Sequence, residues 1–277
     1  MSLKDILVHV EDNEQAPRTM AAACSLARRY DAHLTGLAID QPPEIPGFAA
    51  IEIPPAAMEI IRTQRKESLG RARKAFDDAI GAAGLAGSSG WTAAGGRTLE
   101  TLSLRSRYAD LTIVSQRTPE DQGGDDIVDD FILASGRPVL VIPYIGAPDP
   151  VGRKVLIAWN ASREAARAVS DAMPLLEKAE SIEVFAVEPE GMGDMPGADI
   201  ASHLARHGLR ITAAKTTGLN IDVGDVLLNQ AADSGADLIV MGAYGHARLR
   251  EIILGGVTRE LLKRADLPAA GALIRLG

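Results

Sequence analysis

Aromatic side chains are scarce in this sequence: tryptophan, tyrosine and phenylalanine make up 4% of its 277 residues. The core must therefore be built from small and aliphatic side chains, which suits parallel strands covered by helices and disfavours an all-β sandwich. Cysteine is scarcer still. The single Cys24 excludes a disulfide framework and a thiolate metal cluster, and its place in a helix-like apolar run makes it a core residue. Basic charge is in deficit, with 29 lysines and arginines against 37 aspartates and glutamates, a formal net charge of −8. A chain of that sign repels a phosphate backbone at long range, so nucleic acid is not an expected partner. Any run approaching about 18 consecutive apolar residues is also missing. The chain begins with a short strand-like run, residues 6–10, that lacks the form of a signal peptide or a membrane anchor. The expected compartment is a reducing cytoplasm, with no membrane partner.

What the sequence does contain is an internal repeat. Residues 6–10 and 155–159 are aliphatic runs, each followed by a helical stretch. An offset of 149 pairs Leu7 with Leu156, Val8 with Ile157, Ala16 with Ala165 and Arg18 with Arg167. Ala109-Asp110-Leu111-Thr112-Ile113-Val114 matches Ala236-Asp237-Leu238-Ile239-Val240-Met241 at an offset of 127, so the first copy holds about 22 extra residues between the matches. These fall in residues 40–62, a proline-rich loop that leads into a long helix over residues 57–80. A Gly/Pro linker at residues 145–150 divides the chain into domains 1–148 and 149–277.

In the second copy the expected strands are residues 155–159, 182–187, 209–215, 238–241 and 269–274. The expected helices are residues 163–178, 198–207, 223–232 and 257–264. Strands apolar at nearly every position suit burial on both faces, and helical crossovers require parallel neighbours. Each copy thus reads as an α/β domain, a doubly wound five-stranded parallel sheet of Rossmann-like type. Such sheets take ligands beyond the carboxyl ends of their strands, at the topological switch point.

Chemistry concentrates after residue 241. Gly242-Ala243-Tyr244-Gly245 follows the strand directly, and Gly255-Gly256-Val257-Thr258 opens a helix nine residues beyond Gly245. Glycines at a strand end let backbone turn sharply and approach a ligand, while the amides of a helix start, with the Thr258 hydroxyl, suit an anion. This spacing resembles the nucleotide-binding signature of the universal stress proteins. Residues 155–160 and 236–242 are similar to the first and fourth strands of that family, so the likeness extends over nearly the whole chain as a tandem of two such domains.

The resemblance implies ATP, possible with Mg2+, in the second domain. Ala158, Asn160, Val187 and Met241 would lie around adenine and ribose, and Gly242, Tyr244, Gly245, Gly255, Gly256, Val257 and Thr258 around the phosphates. Two positions depart from the family pattern. Gly256 replaces a hydroxyl residue but keeps its backbone amide, and Asn160 replaces an aspartate but can both accept and donate hydrogen bonds. In the first copy Ser115-Gln116-Arg117-Thr118 replaces the first glycine pair, and Asp125 and Asp126 stand where Gly255 and Gly256 do. Two carboxylates at a helix start repel a triphosphate, so the first site is degenerate and reads as a structural half with no ligand.

Elsewhere, His203 and His207 share a helix face without a metalloprotease pattern, and His246 and Arg248 follow the glycine loop. Asp121, Asp125, Asp126, Asp129 and Asp130 form an acidic cluster that reads as solvated rather than as a cation site. Asp110 and Asp237 read as structural caps where their strands begin. No catalytic site and no metal site are expected. Three functional readings remain: an ATP-binding regulatory module of the stress response, an interaction scaffold that binds no nucleotide, and a slow ATPase for which the sequence supplies no base. Hiding the last strand of each copy against the other predicts a pseudo-dimer within the chain, with homodimerisation left open.

Overall fold

A computed structural model describes residues 2–43, 54–118, 127–188, 196–217, 223–242 and 272–276. The first half runs β1 (Asp5–His9), α1 (Ala16–Tyr30), β2 (His33–Asp40), α2 (Pro55–Ala83), β3 (Ser89–Gly95), α3 (Thr98–Ser106), β4 (Leu111–Ser115), α4 (Ile127–Ser135) and β5 (Val139–Ile142). The second runs β6 (Lys154–Trp159), α5 (Arg163–Leu176), β7 (Ser181–Glu188), α6 (Pro196–Ala205), β8 (Ile211–Thr217), α7 (Val223–Ser234), β9 (Leu238–Gly242) and β10 (Ala272–Leu276). The expected helix over residues 257–264 lies outside the described residues. The described part of the last strand, Ala272–Leu276, contains Ala272, Leu273 and Ile274 of the expected run, and residues 269–271 lie outside the described residues.

All ten strands form one sheet, in the order β3-β2-β1-β4-β5-β10-β9-β6-β7-β8. Read inward from either edge, the two halves have the same order. Neighbours within each half are parallel, as crossover helices require. The pair β5 and β10 is antiparallel, with Leu140 opposite Ile274. The strands of the two halves therefore run in opposite directions, and their carboxyl ends point to opposite edges of the sheet.

Helices cover both faces. One layer of core joins α1 and α5 through Met20, Ala23, Ala168 and Ala172, together with the inward side chains of β1 and β6. The other joins α3, α4 and α7 through Leu102, Phe131 and Leu228. Cys24 lies in the first layer as expected, and burial pushes its thiol up to about 11, so it stays protonated and inert. In α1 the buried Met20, Ala23, Cys24 and Ala27 recur at helical spacing, and Asp31 ends the helix in the left-handed region at φ 50°.

Repeat-equivalent residues meet where the halves touch. Arg29 and Lys178 differ by the offset of 149. Arg29 donates to the Lys178 carbonyl at 2.5 Å, and Lys178 Nζ donates back to the Arg29 carbonyl. Lys178 Nζ also stands 4.3 Å from the centre of the Tyr30 ring. A reciprocal contact of this kind is what a two-fold relation produces.

The strand starts are fixed by two equivalent carboxylates. Asp110 accepts from the N–H groups of Lys4 at 2.8 Å and Asp5 at 3.0 Å. Asp237 accepts from those of Gly152 at 2.7 Å, Arg153 at 3.0 Å and Lys154 at 3.2 Å. Burial raises the Asp237 carboxyl above its ordinary value, opposed by these donors. Asp237→Ala leaves the donors without their acceptor and should cost about 1–3 kcal/mol in urea unfolding, with Asp237→Asn costing less. Unchanged stability in Asp237→Ala would show that water replaces the carboxylate at no cost.

Candidate functional site

In each half the strand order reverses between two central strands, β1 and β4 in the first and β6 and β9 in the second. Sheets of this kind take ligands beyond the strand ends at such a reversal.

In the second half, Ala158 stands beside Met241 in register, with Ala158 half-buried and Met241 buried. Asn160 is exposed one residue beyond β6, and its Oδ1 accepts from the Ser162 N–H at 3.1 Å. Between them Ala161 takes a left-handed conformation at φ 56°. Ser162 then caps α5, its Oγ accepting from the Ala165 N–H at 3.1 Å. The backbone of Val187 lies near the end of the adjoining β7. The fold thus brings Ala158, Asn160, Met241 and Gly242 to one strand-end edge. Tyr244, Gly245, Gly255, Gly256, Val257 and Thr258, with His246 and Arg248, lie outside the described residues.

Gly242 has a packing role in addition to the close approach to a ligand that the sequence suggests. A Cβ at this position would fall 2.4 Å from the Ala165 nitrogen and from the Glu164 carbonyl carbon. The space is filled by the first turn of α5, so this glycine is required for helix packing. Ser115 is its equivalent at the end of β4, where a side chain is accommodated and donates to Glu11 Oε2 at 3.2 Å.

The first half has a cleft of about 410 Å³ at its own strand ends. His9, Glu11 and Asn13 occupy the positions of Ala158, Asn160 and Ser162 by the offset of 149. Asn13 is the repeat equivalent of Ser162, its Oδ1 accepting from the N–H of Ala16, the first residue of α1, at 2.9 Å. The roof is α2, whose N-terminal residues Pro54 and Pro55 preset the helical φ and whose C-terminus closes at Gly84 with φ 69°. Phe76 seats this helix against Trp91, ring centres 5.3 Å apart, over Gly36, where a Cβ would lie 2.5 Å from the Phe76 ring. Two ion pairs tie α2 to the strand ends, Arg65 with Asp40 and Arg71 with Asp12, the latter at 2.8 Å. The Arg71 hydrogen bond holds the Asp12 carboxyl below its ordinary range.

His9 is 7% exposed, and burial pushes its pKa below 6.5 against the opposing pull of Glu11. The His203 and His207 rings meet edge to face at 5.1 Å. Among the described residues no group of three or more histidine, cysteine or acidic side chains is placed to hold a metal ion. Asp129 and Asp130 lie in the first turn of α4, while Asp121, Asp125 and Asp126 lie outside the described residues. No helix among the described residues is long and apolar enough to cross a membrane.

The sequence model of the universal stress protein family matches residues 152–270. The second half is a universal stress protein domain. A universal stress protein of Methanocaldococcus jannaschii is 45% identical over 38 residues, 14% of this chain and 24% of its own length. Another, from Synechocystis, is 32% identical over 44 residues, 16% of this chain and 15% of its own. These matches span a quarter or less of the relatives' lengths. At the level of fold, the crystal structure of a universal stress protein from Archaeoglobus fulgidus superposes with a TM-score of 0.71 at 12% identity, covering 98% of this chain and 96% of that one. A functionally unknown Pseudomonas aeruginosa protein gives 0.57 at 14% identity, over 99% and 92%. The universal stress protein architecture therefore extends across both halves as a fold.

Sequence reasoning missed the Ser162 cap, the α5 backbone on Gly242 and the first-half cleft. The offset that pairs Ala16 with Ala165 also pairs Asn13 with Ser162, a usable signal for the cap. Gly242→Ala should destabilise the chain by at least about 1–3 kcal/mol, since the obstacle is backbone, while Ser115→Gly should cost under about 1 kcal/mol. Equal midpoints for the two variants in urea would contradict the packing role. For His9, the unfolded chain binds the proton more tightly, so stability should fall as pH drops below 6.5 and be restored above it. His9→Gln should remove that component, at most about 1.4 kcal/mol per pH unit, and an unchanged pH profile would exclude His9 as its source.

Proposed function

We propose that this chain is a tandem universal stress protein, with domains 1–148 and 149–277, whose second domain holds ATP as a regulatory ligand. The observation that carries the reading is the glycine spacing from Gly242 to Gly255, which follows β9 directly at the switch point of a domain belonging to that family. The described residues fit the group. Ala158 leaves room for a base at the end of β6, with Val187 on the neighbouring strand, and Asn160 keeps its Nδ2 donors for ribose hydroxyls while its Oδ1 is held by Ser162. Gly245, Gly255, Gly256 and Thr258 would supply backbone amides and one hydroxyl to the phosphates, with Tyr244 and Val257 alongside. Mg2+, when bound with the nucleotide, would neutralise phosphate charge.

The first domain serves as a pseudo-partner rather than a second nucleotide site. Glu11 stands at the position of Asn160, and its carboxylate meets Ser115 where Gly242 has its equivalent, so a negative charge faces the place of the ribose and phosphates. Binding rather than turnover is assigned, since no described residue at the second site is a base that would orient water. The paired β5 and β10 strands and the Arg29–Lys178 contact support a pseudo-dimer as the working unit.

Calorimetry with MgATP on the full chain tests the proposal. One site per chain, lost in Gly245→Asp, is the expected result. Two sites, or undiminished binding in the variant, would overturn the assignment to the second domain, and no heat at millimolar ATP would favour the interaction scaffold.

A further inference from the structure

We propose that the first-half cleft is a ligand site of its own, for a small zwitterion of the amino-acid class. The cleft lies under α2 and holds about 410 Å³, within the lower part of the range typical of small-molecule pockets, about 300–1,000 Å³. Asp12 is neutralised by Arg71 at 2.8 Å. That leaves Glu11 and Arg117 lining the same cleft, and neither forms a salt bridge among the described residues. Among the described residues the cleft thus presents one carboxylate and one guanidinium without a salt-bridge partner, the Glu11 carboxylate accepting at Oε2 from Asn13 at 3.3 Å and Ser115 at 3.2 Å.

A second, independent observation points to a ligand. His9 lines the cleft, is 7% exposed, and its ring makes no hydrogen bond to another described residue. A donor on a bound molecule would engage that ring from within the cleft. Held neutral, the imidazole offers a lone pair beside the Glu11 carboxylate, and that pair of acceptors suits an ammonium group. Arg117 suits a carboxylate through its forked donors. Ala38, Ile39, Leu69 and Ala72 give an apolar surface for a side chain. None of the polar set is repeated in the second half, where Ala158, Asn160 and Ala161 stand for His9, Glu11 and Asp12. The strand ends of the two halves point to opposite edges of the sheet, so this site and the nucleotide site do not compete for space.

The test is calorimetry on the full chain with each of the natural α-amino acids singly at millimolar concentration. At least one should bind at one site per chain, and affinity should fall about tenfold or more in Glu11→Gln and in Arg117→Gln, with Arg117→Lys recovering part of the loss. The decarboxylated amine of the bound amino acid should bind about tenfold or more weakly, because it lacks the charge that Arg117 reads. Thermal melting of each variant separates lost binding from lost folding. Gly245→Asp should leave amino-acid binding unchanged, so failure of the nucleotide reading and failure of this one give different results. Absence of binding by every amino acid, binding insensitive to both charge variants, or displacement of the amino acid by ATP would each overturn the proposal.

Discussion

The reciprocal contact between Arg29 and Lys178, with the antiparallel seam of β5 and β10, sets the geometry of everything else. Two parallel half-sheets could share one sheet by running in the same direction, and their strand-end crevices would then lie on the same edge. The antiparallel seam reverses one half. Both α1 and α5 remain on the same face, sharing a core layer, while the two crevices are carried to opposite edges. Each crevice is therefore free to change its chemistry without disturbing the other.

The halves preserve what the fold needs and diverge in what a ligand would touch. Asp110 and Asp237 fix the strand starts through equivalent backbone donors, with Gly152 as a third in the second half, and Asn13 and Ser162, equivalent in the repeat, each accept from a first-turn amide of the first helix of their half. At the opposite ends of those strands, His9 and Glu11 replace Ala158 and Asn160, and Ser115 replaces Gly242. The long helix α2 roofs the first half and has no counterpart among the described residues of the second, and its charged ties reach the strand ends of its own half. Conserving the clamp and cap while replacing strand-end chemistry is the pattern expected when one scaffold carries two different sites.

Much of the architecture was legible because its signals are local and strong. Aliphatic runs such as residues 155–159 and 238–241 mark doubly buried strands, and the two offsets located the repeat and the insertion that leads into α2. The weakly patterned last strand was legible over Ala272–Ile274, where leucine and isoleucine supply its signal. At the site, Ala158, Asn160, Met241 and Gly242 are brought to one edge, as strand-end placement predicts. The reason for glycine at 242 was not legible, because the obstacle is the backbone of Glu164 and Ala165, some 77 residues away in sequence. Nor was the first-half cleft, which depends on Arg71 and Phe76 of α2 meeting residues far earlier in the chain.

The central claim is that ligand chemistry is divided between the halves, with nucleotide held by the second. Hydrogen–deuterium exchange of the full chain, with and without MgATP, addresses it residue by residue. The account predicts slowed exchange at residues 158–162 and along the segment that follows residue 242, with residues 9–16 and 115–118 unchanged. Slowing at the first-half residues, or equal slowing in both halves, would contradict it.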